Sequence, residues 1–285
     1  MKDGDNAAIG GTAAPDVAGL AACARAVRAA TVRMAHKGRT SHVASALSCV
    51  DILVTLYFHS MRVDPTSPED PSSDRFILSK GHGCMAWFAT LAERGYFAAD
   101  LLDEYSLNGG RLAEHPSPRS VPGVDVATGS LGHGLSIGAG IALARRIDER
   151  AGRTFVVLSD GECNEGSVWE AAMFAARWKL DNIVAIVDYN KWQAMGRSDE
   201  VTALAPLADK WRAFGWQTSE VDGHDLAGLA TLFDGAPLAT GKPTAIVAHT
   251  VKGKGVSFME GDLEWHYRPP SESDLARALV EIEGG

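Results

Sequence analysis

Two short apolar runs, Thr154 to Leu158 and Ile183 to Val187, each end in a polar turn, and this pairing constrains the fold more than any other feature of the chain. The first run leads into Ser159-Asp160-Gly161-Glu162-Cys163-Asn164-Glu165-Gly166, the second into Asp188-Tyr189-Asn190-Lys191-Trp192. Between them, Ser167 to Trp178 carries Ala and Glu at helix-favouring density. The order is strand, turn, helix, strand, turn. A right-handed crossover between parallel strands sets both turns side by side at one edge of a sheet. Asp160 and Asn190 then place a carboxylate and an amide oxygen together, and Gly161 allows close backbone approach. Such hard oxygen donors suit a divalent cation bound with a diphosphate. Either turn alone is ordinary loop chemistry; the spacing and the strand ends give the pair its weight.

The rest of the chain repeats the alternation. Asp16 to His36 has apolar residues at helical spacing, Gly38 to His42 is a loop, and Ser45 to Phe58 reads as a second helix. Pro65, Pro68 and Pro71 precede a short buried strand, Phe76 to Leu78. The loop Ser79 to Gly83 opens a helix to about Arg94, Glu114 to Pro118 is extended, and Gly129 to Gly134 leads into a helix to about Arg150. Trp211 to Asp222 contains a strand, Leu226 to Phe233 a helix, and Pro243 to Ala248 a further strand. Residues 1–15 read as a mobile tail ahead of a single domain over 16–285. The expected class is α/β: a doubly wound, mostly parallel sheet with helices on both faces and a site at the strand ends.

Composition narrows the partners. A net charge of −9 argues against nucleic acid, which calls for a basic face. No apolar run approaches a membrane span, and the N-terminal residues lack a secretory pattern. Cys23, Cys49, Cys84 and Cys163 show neither metal nor disulfide spacing, which points to reduced thiols in a cytoplasm. His42, His82, His115 and His266 all fall in loops at predicted element ends and can converge on one pocket. Histidine donates hydrogen bonds, titrates near neutral pH and can pass protons to a substrate oxygen. Zinc is disfavoured, because the four lack short-range ligand spacing and no cysteine accompanies them.

These segments resemble a known family. Asp160-Gly161 with Asn190 is similar to the thiamine diphosphate signature, Gly-Asp-Gly followed about thirty residues later by Asn, with Ser159 in the place of the first glycine. Arg75-Phe76-Ile77-Leu78-Ser79-Lys80-Gly81-His82 resembles the strand and histidine loop of transketolases, and Thr128-Gly129-Ser130-Leu131-Gly132-His133-Gly134 resembles their glycine loop. Ser41-His42 with Leu47 to Leu53 looks like their first histidine motif, Ser41 replacing the usual glycine. The resemblance covers about His36 to Pro270, with five motifs in order.

The resemblance implies roles. Asp160 and Asn190 would bind the divalent ion (Mg2+, or Ca2+ or Mn2+) through side chains and Trp192 through its carbonyl. His82, Gly161, Asn190 and His266 would contact the diphosphate, and Gly129 and Leu131 the aminopyrimidine. His42 and His115, with His82 and His266, would line a sugar channel. Glu165 and Glu170 match carboxylates linking paired active sites, although acidic residues are favoured at a helix start in any case. Lys252 and Lys254, set between glycines, fit a phosphate loop or a solvated turn about equally. In this family the cofactor-activating glutamate lies in a second, pyrimidine-binding domain, and the chain ends at Gly285. The implied protein is therefore the cofactor-binding subunit of a split transketolase, α2β2 with a second subunit carrying the remaining domains. It would move a two-carbon ketol unit from a ketose or ketose phosphate to an aldose. The alternatives are the α subunit of a 2-oxo acid dehydrogenase, a relative of deoxyxylulose-phosphate synthase, and a non-catalytic regulatory module of the same fold.

Overall fold

The computed structural model describes residues 16–284, so the expected N-terminal tail lies outside the described residues. The elements in chain order are α1 (Val17–Gly38), α2 (Val43–Ser48), α3 (Val50–Thr55), β1 (Arg75–Leu78), α4 (Cys84–Arg94), α5 (Gly134–Ile147), β2 (Thr154–Ser159), α6 (Gly166–Arg177), β3 (Ile183–Tyr189), α7 (Ser198–Val201), α8 (Leu207–Ala213), β4 (Gln217–Asp222), α9 (Leu226–Asp234), β5 (Thr244–His249) and α10 (Glu272–Gly284). The strands form one sheet in the order β1-β2-β3-β5-β4. Every pairing is parallel.

The strands read as continuous apolar runs because both sheet faces are covered. Their side chains alternate between two cores. Phe76, Leu78, Phe155, Val157, Val184, Ile186 and Ile246 pack with residues of α1 to α4, α9 and α10. Ile77, Val156, Leu158, Ala185, Val187 and Val247 pack with residues of α5, α6 and α8. The chain crosses the sheet from β2 through β3 to β4 with α6 and α8 on the second face. It then returns to β5 with α9 on the first, as a fixed crossover hand requires when direction reverses. All five carboxyl ends therefore share one edge. Each fully buried large apolar side chain contributes about 1.5–3 kcal/mol, and β3, buried throughout, can end in a buried carboxylate, Asp188.

Two features differ from the sequence expectation, the broken second helix and the C-terminal helix. The helix expected over Ser45 to Phe58 is broken at Cys49, between α2 and α3, and closes in a π turn at Leu56–Ser60. The break coincides with Ser48, whose hydroxyl is drawn toward the sheet by Asp188. The strand expected within Trp211 to Asp222 is present as β4, preceded by Trp211, fully buried in α8. The amphipathic α10 packs Ala278 and Ile282 into the first core and has no counterpart in the expected elements. Among the described residues no helix is long and apolar enough to cross a membrane, and all four cysteines are free.

Two glycines of α5 separate packing from propensity. A Cβ on Gly138 would lie 2.5 Å from Val156 Cγ2 on the sheet, whereas one on Gly140 meets nothing within 4 Å. Gly138→Val is expected to destabilise the chain by about 1–3 kcal/mol through overpacking. Gly140→Ala should be neutral or stabilising by up to about 1 kcal/mol. Urea unfolding of both variants checks this, and equal effects would contradict the packing of α5 on β2.

Candidate active site

The turns after β2 and β3 are stitched together, as their parallel register (Ser159 opposite Asp188) requires. Asp160 is fully buried and accepts hydrogen bonds from the Gly161 N–H (3.0 Å), the Lys191 N–H (2.9 Å) and the Ser198 hydroxyl (2.6 Å). Burial pushes its carboxyl up to about 6, against the pull of the Ser198 and Gly161 hydrogen bonds. A carboxylate offers about four lone-pair sites, so three donors leave room for a cation. Asn190 Oδ1 accepts from the Trp192 N–H (3.0 Å), which folds that residue back over the same turn. Among the described residues no three His, Cys, Asp or Glu side chains gather as a metal cluster. A cation held at this turn would instead meet carboxylate, amide and backbone carbonyl oxygens, donors of the magnesium or calcium kind.

Behind this turn lies a buried ion pair that the motifs did not single out. Asp188 accepts from the Lys80 ammonium, the Thr250 hydroxyl and, at 2.6 Å, the Ser48 hydroxyl. Lys80 also donates to the Ser45 carbonyl at 2.7 Å. Burial works against the Lys80 charge, but the adjacent Asp188 outweighs it and raises the ammonium's pKa. Glu162 is the second unanticipated group. Its buried carboxylate accepts from the Ser79 hydroxyl, the Gly132 N–H (2.8 Å) and the Ser159 N–H (3.3 Å), tying the loops after β1 and β2 to the glycine loop. A Cβ on Gly134 would lie 2.2 Å from Ser79 Oγ, so this junction demands glycine. Burial raises the Glu162 carboxyl despite those three donors.

The four histidines converge. Ring centroids are 4.8 Å apart for His42–His82, 4.9 Å for His42–His266 and 4.6 Å for His82–His115. His42 adopts a left-handed conformation (φ 69°), donates its backbone N–H to the His266 carbonyl (2.8 Å), and has its ring held by the Ser41 hydroxyl at 2.7 Å. Gly129 (φ 131°) presses on His115, where a Cβ would come within 2.5 Å of the ring. Burial, then the neighbouring histidines, depress His42 to about 3. Burial with His115 depresses His82 to about 4, and burial with Lys252 does the same to His266. At neutral pH these three rings are neutral.

A cavity of about 550 Å³ opens beneath them, in the size range of small-molecule sites. His42, His82, His266, Leu131, Gly161, Glu165, Asn190 and Trp192 line it. Of the other sequence-predicted residues, Asp160 is buried behind this wall, His115 backs His82, and Gly129 backs His115. Glu165 is the N-cap of α6; Glu170 lies further along that helix, exposed and outside the lining.

Lys252 does not sit in a solvated turn. It is fully buried, has no carboxylate ion-pair partner among the described residues, and places Nζ 3.0 Å from His266 Nδ1. Burial, with Lys80 nearby, lowers it to about 8. A buried cation without a counter-ion is costly, and an anion in the adjoining cavity would supply what it lacks. Gln193, in the cavity lining, has a buried amide nitrogen with no partner among the described residues. A metal-bound diphosphate fits both, and the oxygen set at Asp160 and Asn190 fits its cation. The burial of Lys252, Glu162 and the Lys80–Asp188 pair had no signal in local sequence pattern; only the Lys252-Gly253-Lys254-Gly255 run hinted at a phosphate loop.

The fold and site define an α/β module that binds a diphosphate cofactor at the carboxyl ends of its strands. The family profile described as "Transketolase, thiamine diphosphate binding domain" matches residues 20–281, and the chain belongs to this family. It is 42% identical over 260 residues to the 6-deoxy-6-sulfo-D-fructose transketolase subunit of a Clostridium species, covering 91% of this chain and 94% of that protein. It is 40% identical over 251 residues to a subunit of the apulose-4-phosphate transketolase of Phocaeicola vulgatus, covering 88% of this chain and 89% of that one. The fold superposes on transketolase from Leishmania mexicana with a TM-score of 0.87 at 27% identity. That match covers 93% of this chain and 41% of the other, so the chain spans about two fifths of the solved enzyme.

Two stability measurements test this electrostatic layout. Asp188→Asn leaves the Lys80 ammonium buried without its counter-charge and should cost about 3–5 kcal/mol in urea unfolding; Lys80→Met in the same chain should restore part of it. The depressed histidines add a pH dependence to the cofactor-free chain. Above about pH 6.5 they cost nothing; as pH falls through 6.5 toward 4, the unfolded chain takes up protons that the native rings refuse, and stability is lost. His82→Gln should lessen that slope. An unchanged slope would contradict the buried, neutral rings.

Proposed function

We propose that residues 16–285 act as one cofactor-binding domain, the thiamine diphosphate-binding subunit of a two-chain transketolase that transfers a ketol unit between sugars. The observation that carries this reading is a polyhydroxyl-compatible cluster of four histidines beside a buried, counter-ion-free Lys252 and the Asp160–Asn190 oxygen set. Asp160, Asn190 and the Trp192 carbonyl hold a magnesium ion or a cation like it. His82, His266, Gly161, Asn190 and Lys252 receive the diphosphate, and Gly129 and Leu131 receive the aminopyrimidine through backbone atoms. When bound, thiamine diphosphate supplies the carbon centre that carries the ketol unit between sugars.

The chain's own residues orient and protonate. His42, His115, His82 and His266 hydrogen-bond the sugar hydroxyls. The resting basicity of His42, His82 and His266 is too low for efficient proton transfer at neutral pH. An anionic diphosphate beside them raises it, since a nearby negative charge favours the protonated ring. Cofactor binding thus brings the histidines toward working range. Closure over the cavity comes from the second subunit, which also brings the activating carboxylate. Supporting such a partner, the two relatives matched over most of their length are named as subunits. In addition, α6 exposes Met173, Phe174 and Trp178 along the helix opened by Glu165, and exposed apolar groupings of this kind mark protein contacts. An α2β2 assembly in the cytoplasm, with Glu165 and Glu170 linking the paired sites, completes the reading. The relatives' names carry a sulfonated and a phosphorylated sugar; a ketose with an anionic end is the substrate class.

The test is co-expression with candidate second subunits, followed by a ketol-transfer assay on sulfonated and phosphorylated ketoses with thiamine diphosphate and magnesium. Activity is expected only with both chains, and Asp160→Ala should reduce it to background. A complex that binds cofactor but turns over only 2-oxo acids would overturn the transketolase reading.

A further inference from the structure

A second buried charge network lies outside the cavity and touches the loop that carries Lys252. Asp51 of α3 pairs with Arg28 of α1 (Nη2 to Oδ2, 2.5 Å) and with His224, in the turn after β4 (Nδ1 to Oδ2, 2.7 Å). All three side chains are nearly buried. His224 Nε2 accepts the backbone N–H of Val251 at 2.9 Å. That nitrogen therefore carries no proton, and Nδ1 donates to Asp51: the ring is neutral, in one fixed tautomer. From the other end of the network, Arg28 Nε donates to the Lys254 carbonyl at 3.2 Å. The two contacts bracket Lys252, one residue before it and two after.

The segment between is held with little slack. Gly253 (φ 84°) donates its N–H to the Ala44 carbonyl (2.9 Å), and a Cβ there would lie 2.3 Å from the Met259 carbonyl oxygen. The Lys252 carbonyl accepts from the Gly261 N–H at 2.9 Å. On the His224 side, a Cβ on Gly223 would come within 2.3 Å of Thr250 Cγ2, so the turn after β4 is pressed against the residue two before Lys252. None of these groups lines the histidine cavity. Arg28 and His224, joined through Asp51, each hold one backbone group of this short loop, and the side chain that loop delivers is the buried lysine.

We propose that Arg28, Asp51 and His224 are positioning residues that fix the Val251–Lys254 backbone so that Lys252 Nζ meets the cofactor's diphosphate. The inference rests on the reading of Lys252 as a diphosphate partner. It assigns a function to three residues far apart in sequence, none of which lines the histidine cavity. A network of this kind acts on affinity for the diphosphate and leaves the sugar chemistry alone.

The experiment uses the two-subunit complex and measures thiamine diphosphate affinity by calorimetry with magnesium present. His224→Asn keeps an amide at the Nδ1 position to meet Asp51 but falls short of the Val251 N–H. His224→Gln reaches that N–H with its side-chain oxygen. Removing an outer partner of a bound group typically costs 10–100-fold in affinity. The Asn variant should weaken cofactor binding about tenfold, with kcat at saturating cofactor within about twofold of the parent, and the Gln variant should recover most of the loss. Lys252→Met should weaken binding by itself, and adding His224→Asn to it should cost little more, because both changes remove one contact. Unchanged affinity in His224→Asn, with or without a lower melting temperature, would overturn the proposal. So would fully additive losses in the double variant. A parent complex that does not bind thiamine diphosphate would instead overturn the reading of Lys252 on which the proposal rests.

Discussion

The site depends on the buried ion pair between Lys80 and Asp188. Lys80 follows β1, Asp188 is the penultimate residue of β3, and the pair spans the end of the intervening β2. Ser48 at the end of α2 and Thr250 just after β5 complete the acceptor set of Asp188. Each segment joined here carries a site residue close by: Lys80 leads to His82, Asp188 to Asn190, Thr250 to Lys252, and α2 begins after His42. A buried pair contributes little net stability, because desolvation offsets attraction, but breaking it is expensive. Its use is registry. Four separate stretches of chain must agree at one point before both charges are satisfied.

Around that point the electrostatics are one-sided. The three depressed histidines line the cavity with Lys252 buried behind His266, a side rich in donors, while Asp160 and Glu162 are buried carboxylates of the turn after β2. Lys252 has no carboxylate ion-pair partner among the described residues, and Asp160 has acceptor capacity left beyond its three donors. A metal-bound diphosphate would answer both at once, its cation at the oxygens and its phosphates at the lysine and histidines. Neither half of the wall would be comfortable with its opposite.

Much of this was legible in the sequence, for local reasons. The strands of a covered parallel sheet are apolar runs, so β1, β2, β3 and β5 stood out, and their polar termini marked Asp160, Gly161 and Asn190. The loop histidines were visible because each sits among small and polar residues at an element end. What escaped was long-range. Lys80 and Asp188 are 108 positions apart, and Asp51 and His224 are 173 apart; no periodicity records such pairings. The break between α2 and α3 escaped for the same reason, since it coincides with a bond from Ser48 to a residue 140 positions away. Lys252 was ambiguous because lysines in glycine-rich turns are usually solvated, and only the packing of the loop shows this one is not.

The most direct test of the account is a comparison of thiamine diphosphate with thiamine as ligands of the chain in its complex, titrated calorimetrically with magnesium and again with a chelator. A wall built for a metal-bound diphosphate predicts that thiamine diphosphate with magnesium binds at least about a hundredfold (about 2.7 kcal/mol) more tightly than thiamine, and that chelation removes most of the difference. Equal affinity for the two ligands, or binding indifferent to the chelator, would contradict it.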